Sequence, residues 1–363
     1  MKVLSSLALA LLSAGALSSA QASTAITSFG KDLVPFTGNT SAPADWRFLP
    51  GQSFNGVAGA LDGVAMLSFQ TKDGNSYACS GSLLAGGQYV LTAAHCADDF
   101  VKMKVDFGWA GGASTVSRSV AVGNAIVHSG WTGDLDTGAD IALLRLDEAV
   151  TTIKGYKLSN TLDIGKDILV AGYGTTQKAD VNSPTNWNDW MYGHYAWNKI
   201  DVDSKTFNKA VGDAIPGWYD PDYYKFGVTY MSDFDSGSEG NNTLQILADA
   251  VGTSLWGSDT GHGKDEGLIA GGDSGGGDFV WDGTQFLLTG VHSWGWQACQ
   301  SFGLSCDAAK KNGSSYGDLS GSTAVYSHLA WINAQMGVPE PGSAALALLA
   351  LFGLGAVRRR PRA

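Results

Sequence analysis

The strongest constraint on the fold is a succession of short apolar or alternating runs. They are "GVAMLSF" (63–69), "SGSLLAGGQYVLTAA" (80–94), "VKMKVDFGW" (101–109), "SRSVAVGNAIVH" (117–128), "DIALLRLD" (140–147) and "DILVAGYG" (167–174). Gly, Asn or Asp separates most of them, at intervals of roughly 10–20 residues, the signature of an all-β sandwich or barrel. No long 3.6-period stretch appears before "HLAWINAQM" (328–336), which predicts a terminal helix. Residues 175–266 break the pattern: they are dense in aromatics and acids, and no repeat is visible. Strands resume in "DGTQFLLTGVHSWGW" (282–296). The reading is two half-barrels in series, the second carrying a large insertion. With 12 Trp, 12 Tyr and 14 Phe the chain can fill a sizeable core.

The ends read as addresses. Residues 1–22 combine Lys2, an apolar run and a closing "AQA", the three zones of a secretory signal cut after Ala22. Residues 23–53 carry Pro, Thr and Asn without clear period and read as an N-terminal extension or propeptide. The tail 338–363 holds Pro339-Glu340-Pro341, an uncharged stretch Gly342–Val357, then Arg358, Arg359, Arg360 and Arg362. That apolar stretch is marginal for a full membrane span, and its arginines would stay cytoplasmic. The tail resembles the PEP-CTERM sorting signal of Gram-negative bacteria. The resemblance implies recognition by an exosortase after signal-peptidase processing, contact with the membrane through the C-terminal helix, and delivery to the cell surface or matrix or release. A plain anchor is the other reading.

Removing 1–22 and 339–363 lowers Lys+Arg from 23 to 18 and Asp+Glu from 34 to 33, so the exported part is near −15. Such a charge excludes nucleic acid as a partner, since phosphate binding needs cations. The four cysteines, Cys79, Cys96, Cys299 and Cys306, lie between the two addresses. An even number in an exported chain reads as two disulfides. Three pairings exist, and local proximity favours Cys79–Cys96 with Cys299–Cys306. A zinc site is the alternative; only His95 adjoins a cysteine and no Cys-x-x-Cys occurs, so no metal or other cofactor is expected.

Three short motifs carry chemistry. "AGGDSGGGDF" (270–279) crowds Gly271, Gly272, Gly275, Gly276 and Gly277 around Asp273 and Ser274. Glycine costs backbone entropy, so the cluster implies unusual torsions or close approach; in a chain with 49 glycines it also reads as a plain loop. "VLTAAHC" (90–96) ends a strand on His95, where a histidine suits a general base or a structural role. "DIALLRL" (140–146) begins with Asp140 at the mouth of an apolar strand, either an imidazole partner or an ordinary strand-start acid.

In this order, "TAAHC", "DIALL" and "GDSGG" resemble the signatures of the trypsin/chymotrypsin family of serine proteases, and "GVHSWGW" (290–296) resembles its substrate-side strand. The likeness spans 56–336. It implies an all-β fold of two six-stranded antiparallel barrels over residues 54–337, with a C-terminal helix, and a serine endopeptidase acting on protein or peptide substrates. It implies Ser274 as nucleophile, His95 as general base and then acid, and Asp140 as the group orienting His95. Gly272 and Ser274 N–H groups would form the oxyanion hole. Asp273 would accept an ion pair from a new N-terminus, yet no Arg/Lys-Ile-Val-Gly-Gly occurs; "FNGVAG" (54–59) is the nearest counterpart, with Arg47 upstream. Cleavage near there, another partner for Asp273, and an active precursor all stay open.

The resemblance also places the substrate. Ser293-Trp294-Gly295 would pair with an extended peptide. Leu268 would lie near the floor of the primary pocket, which argues against Lys/Arg specificity. His292 stands where glutamate-specific relatives carry a histidine that meets a substrate carboxylate, so acidic and apolar preferences are both open. Ala270 stands where many relatives have cysteine, which supports Cys299 pairing with Cys306. Two further readings use the same residues: a catalytically silent binder of the surface or matrix, and an esterase.

Overall fold

The computed structural model describes residues 38–39, 42–179, 189–310 and 314–337. The leader 1–22 and the tail 338–363 lie outside the described residues. The fold is mostly β, with few helices. Among the described residues no helix is long and apolar enough to cross a membrane.

The first sheet is antiparallel, with seven strands in the order Ala125–Val127, Ala142–Arg145, Tyr89–Thr92, Ser76–Leu83, Val64–Thr71, Phe100–Phe107 and Val116–Val120. The expected count was six. The 3₁₀ turn Val122–Asn124 splits the predicted run 117–128 into two strands, which accounts for the seventh. Alternation holds from Lys102 to Val105, with Met103 and Val105 buried and Lys102 and Lys104 exposed, and a register shift opposite Phe100–Lys102 breaks it at the strand start.

The second sheet orders Val202–Asp203, Thr229–Asp233, Leu319–Ala324, Phe286–Trp296, Gly277–Trp281, Asp167–Gly172, Gly193–Lys199 and Arg47–Phe48, and Lys157–Leu158 pairs in parallel with Phe286–Trp296. Three of these strands come from the 175–266 stretch, so that stretch builds the sheet and does not merely decorate it. The outermost strand comes from the N-terminal extension: Arg47 pairs with His194 and Phe48 with Gly193. Arg47 is also clamped by charge. Its Nε and Nη2 donate to Asp189 at 2.6 and 2.5 Å, and His194 Nε2 lies 2.8 Å from the same carboxylate. Burial works to raise the Asp189 pKa, but the hydrogen bonds from His194 and Arg47 outweigh it and hold it at about 2.

Among the described residues two helices longer than one turn were not anticipated, nor was the single turn Ala298–Ser301. Helix α1, Ser204–Ala214, is capped by Asp203, whose carboxylate accepts from Thr206 N–H at 3.2 Å. It buries Phe207, Ala210 and Val211, a spacing of three and four that one polar turn interrupts. Helix α2, Thr243–Val251, is capped by Asn242, buries Leu244, Leu247 and Ala248, and ends at Gly252 with φ 71°. Both pack on Met231, Trp256, Trp294 and Leu319 in one apolar cluster. The final stretch beyond Tyr326 forms the predicted terminal helix, Leu329–Met336, closed by Gly337 at φ 68°.

Candidate active site

Strand register brings the first two motifs together. Thr92 pairs with Ala142, so the chain following Thr92 and the chain preceding Ala142 leave the sheet side by side. His95 sits in the 3₁₀ turn Ala94–Cys96, which the Cys79–Cys96 disulfide ties to the neighbouring strand Ser76–Leu83. Asp140 is fully buried. Its Oδ1 accepts the His95 backbone N–H at 3.0 Å, and its Oδ2 lies 2.8 Å from His95 Nδ1. Ser293 Oγ donates to the same Oδ2 at 2.6 Å.

A carboxylate only accepts, so Nδ1 carries a proton and Nε2 of the neutral ring is left as the basic nitrogen. That Nε2 is buried and has no hydrogen-bond partner among the described residues. Burial opposes charge on the ring, but the Asp140 carboxylate outweighs it and the pKa of His95 is raised above its ordinary value.

The glycine cluster forms a tight turn beside this pair. Gly272 has φ 98° and Gly275 φ 79°, the left-handed region that favours glycine. A Cβ on Gly275 would fall inside contact distance of Thr92 Oγ1 and the Ser80 carbonyl. Ser80 N–H donates to the Ser274 carbonyl at 2.8 Å and Ser80 Oγ to the Gly272 carbonyl at 2.9 Å, fixing the turn to the first sheet. Ser274 makes no hydrogen bond to His95 Nε2 here, although its carbonyl lies 3.6 Å from Cys96 Sγ. Among the described residues the N–H groups of Gly272 and Ser274 donate to no protein acceptor.

Asp273 points inward. Its Oδ1 accepts Gly174 N–H at 2.7 Å and its Oδ2 accepts Ala270 N–H at 3.0 Å. Burial raises its pKa against the pull of His292 and those amides. A small cavity adjoins it, walled by Trp46, Gly174, His194, Leu268 and His292. Arg47, noted upstream of the nearest activation-like segment, is held in the Asp189 clamp and the edge strand.

The substrate-side residues divide. Phe286–Trp296 pairs with Gly277–Trp281 only as far as Val291; beyond it the ladder to Leu319–Ala324 is the one that continues, with a register shift between His292 and Trp294. The shift leaves Ser293 outside the ladder and turns its hydroxyl to Asp140. Trp294 is buried on the helical cluster, and Gly295 is half-buried. Leu268 is buried against Ala179, Phe234 and Tyr316.

His292 departs from the sequence reading. It is 1% exposed, its Nε2 lies 2.9 Å from Asp278 Oδ1, and its Nδ1 lies 3.1 Å from the Asp273 carbonyl. Both nitrogens face acceptors, so both donate and the ring is an imidazolium under the turn, with nothing left for a substrate carboxylate. Burial opposes that charge, and Asp278 and then Asp273 overcome it, so its pKa is raised. Asp278 is the partner that sequence reasoning missed; its signal was an acid inside the apolar strand "GDFVW" (277–281).

Both disulfides of the local pairing are formed, Cys79–Cys96 and Cys299–Cys306. Cys79, His95 and Cys96 lie close enough to suggest a metal site. Their sulfurs are spent on the disulfide, however, and thiolates are what zinc requires.

Known proteins align with this geometry. Residues 55–197 match the family model Trypsin. Kallikrein-8 of Rattus norvegicus is 25% identical over 190 residues, 49% of this chain, and the chain spans 66% of that relative's length. A solved structure of HL collagenase has a TM-score of 0.52 at 20% identity, covering 81% of this chain and 98% of its own. The fold is therefore trypsin-like, and residues 55–197 resemble the trypsin family in sequence.

Proposed function

We propose that the protein is an exported serine endopeptidase. In this reading Ser274 Oγ attacks the scissile carbonyl, His95 Nε2 takes its proton and returns it to the leaving amine, and Asp140 orients the ring and steadies the imidazolium. The Gly272 and Ser274 N–H groups receive the oxyanion; loss of one such donor costs about 3–4 kcal/mol of transition-state stabilisation. The unpaired side of Ser293–Gly295 receives the peptide as an added strand.

One observation carries the reading: a half-buried histidine is fixed by Asp140 through Nδ1, its buried Nε2 has no partner among the described residues, and the Ser274 turn lies alongside. His194 is also held by a carboxylate at one nitrogen while its Nδ1 lacks a partner among the described residues, so what sets His95 apart is the Ser274 turn beside it. The turn is also supported without a freed N-terminus, because Asp273 already accepts two amides and His292 supplies a cation behind it. That supports a site assembled in the uncut chain. Leu268, which the resemblance sets near the floor of the primary pocket, brings no carboxylate of its own, and this favours apolar over basic side chains. The leader and the Pro339–Ala363 tail support export, exosortase handling and delivery to a Gram-negative cell surface or matrix.

A fluorophosphonate probe tests the reading. Labelling of the wild type but not of Ser274→Ala is expected. Absence of labelling in mature protein would instead support the silent binder. Cleavage of a peptide library, compared with an ester panel, separates endopeptidase from esterase and reads the primary pocket.

A further inference from the structure

Far from His95 in sequence, four carboxylates from three segments meet inside the second half of the chain. Asp201 precedes strand Val202–Asp203, Asp233 ends strand Thr229–Asp233, Asp235 follows it, and Glu266 closes the loop after Thr260. They are 5%, 0%, 3% and 2% exposed. The Asp201 and Asp233 side chains are within hydrogen-bond reach of each other. The Gly261 backbone runs between the other two: a Cβ there would lie 2.6 Å from Asp235 Cβ and 2.8 Å from Glu266 Oε2.

The donors are too few. Asp233 accepts Leu244 N–H at 2.8 Å and Ser258 Oγ at 3.1 Å and shares a hydrogen bond with Asp201, and Glu266 accepts His262 N–H at 2.7 Å and the Asp235 N–H. Asp235 Oδ1 is buried with no partner, and the charges acting on it are those of Asp233, Glu266, Asp201 and Asp259. The nearby cation, Lys199, is already 2.8 Å from Asp259. A buried carboxylate without a partner costs several kcal/mol, and like charges compound it. In the chain alone, burial and mutual repulsion push Glu266 up to about 8 and Asp235 to about 10.

We propose that Asp201, Asp233, Asp235 and Glu266 form a binding site for a hard divalent cation of the calcium class. Oxygen donors without sulfur select hard ions over zinc or copper. No three of these carboxylates present oxygens all within 4.8 Å of one another, so binding draws them together by side-chain rotation. Calcium tolerates six to eight oxygens in irregular shells, whereas magnesium demands a small octahedron. The bound ion would tie strand Thr229–Asp233 to the start of helix α2, whose Leu244 N–H rests on Asp233, and to the loop 259–266. The inference does not depend on the serine chemistry.

The test titrates calcium chloride, and separately magnesium chloride, into chelator-treated full-length protein, by calorimetry and thermal unfolding. Calcium near a hundredfold over its Kd should raise the wild-type Tm on the order of 5 °C, and magnesium less. Asp235→Asn and Glu266→Gln remove charge from an overcharged interior. Each should fold in metal-free buffer, checked by circular dichroism, and lose most of the calcium shift. Retention of the full shift in both folded variants would place the ion elsewhere and overturn the proposal. Should both variants fail to fold, the wild-type calorimetry decides: no calcium heat or shift at millimolar concentration means that shared protons satisfy the cluster, and the proposal fails.

Discussion

Asp140 and Asp235 are equally hidden from water, yet they live under opposite conditions. Asp140 receives a backbone N–H, a ring nitrogen and a hydroxyl, within 2.6–3.0 Å. Asp235 receives nothing at Oδ1 and faces like charge. Burial alone therefore does not decide what a carboxylate does; the supply of donors does. A well-supplied acid can aim a neighbour. An undersupplied one seeks a proton or a cation.

The comparison can be attacked at its strongest point first. Asp140→Asn should lower kcat by roughly 10⁴ while the fold survives, because the amide keeps the His95 N–H contact but favours the wrong ring tautomer. Activity within tenfold of wild type would show that the supplied carboxylate aims nothing. His292→Gln, which removes the cation beneath the Ser274 turn, should cost roughly 10² in kcat/KM and mainly in kcat, with Cys79–Cys96 intact; a purely structural role would lower Tm without moving kcat.

A smaller effect is expected at Ser293→Ala, about tenfold in kcat, since Asp140 retains two donors. The pH profile sharpens the same point. His95 must be neutral to act, and its pKa is raised by Asp140, so activity should be lost as pH falls through a midpoint above the usual histidine value near 6.5. In Asp140→Asn the residual activity should show a lower midpoint.

The smallest effect concerns the other well-supplied acid. The Asp189 pKa is depressed to about 2, so its stabilising contribution is complete above the unfolded value near 4 and fades as pH falls toward 2. Asp189→Asn should cost about 1 kcal/mol or less at pH 7 and nothing near pH 2, since the clamp is part-exposed. Denaturant midpoints at the two pH values would check it.

The strands were legible because period-2 alternation is written locally, and so were the motifs that end on His95, Asp140 and Ser274. Helices α1 and α2 were obscured because Asn208 and Gly212 dilute one apolar face and aromatic loops surround both. The strand Arg47–Phe48 is too short to show a period. The ring state of His292 could not be read, since Asp278 lies on the adjacent strand and the imidazole turns inward only at the register shift. The acid cluster was invisible because 65 residues separate Asp201 from Glu266, and they are united by two pairings, Val202–Asp203 with Thr229–Asp233 and Glu266 with Trp197.

Trp294 has a consequence for anyone trimming the molecule. The strand bearing this side chain also carries Ser293, whose hydroxyl holds Asp140, and the indole itself belongs to the interior shared by α1, α2 and Trp256. The helical layer is thus a foundation and not an appendage. Shortening residues 204–251 to make a minimal enzyme would be felt first along that strand, long before Ser274 or His95 was touched.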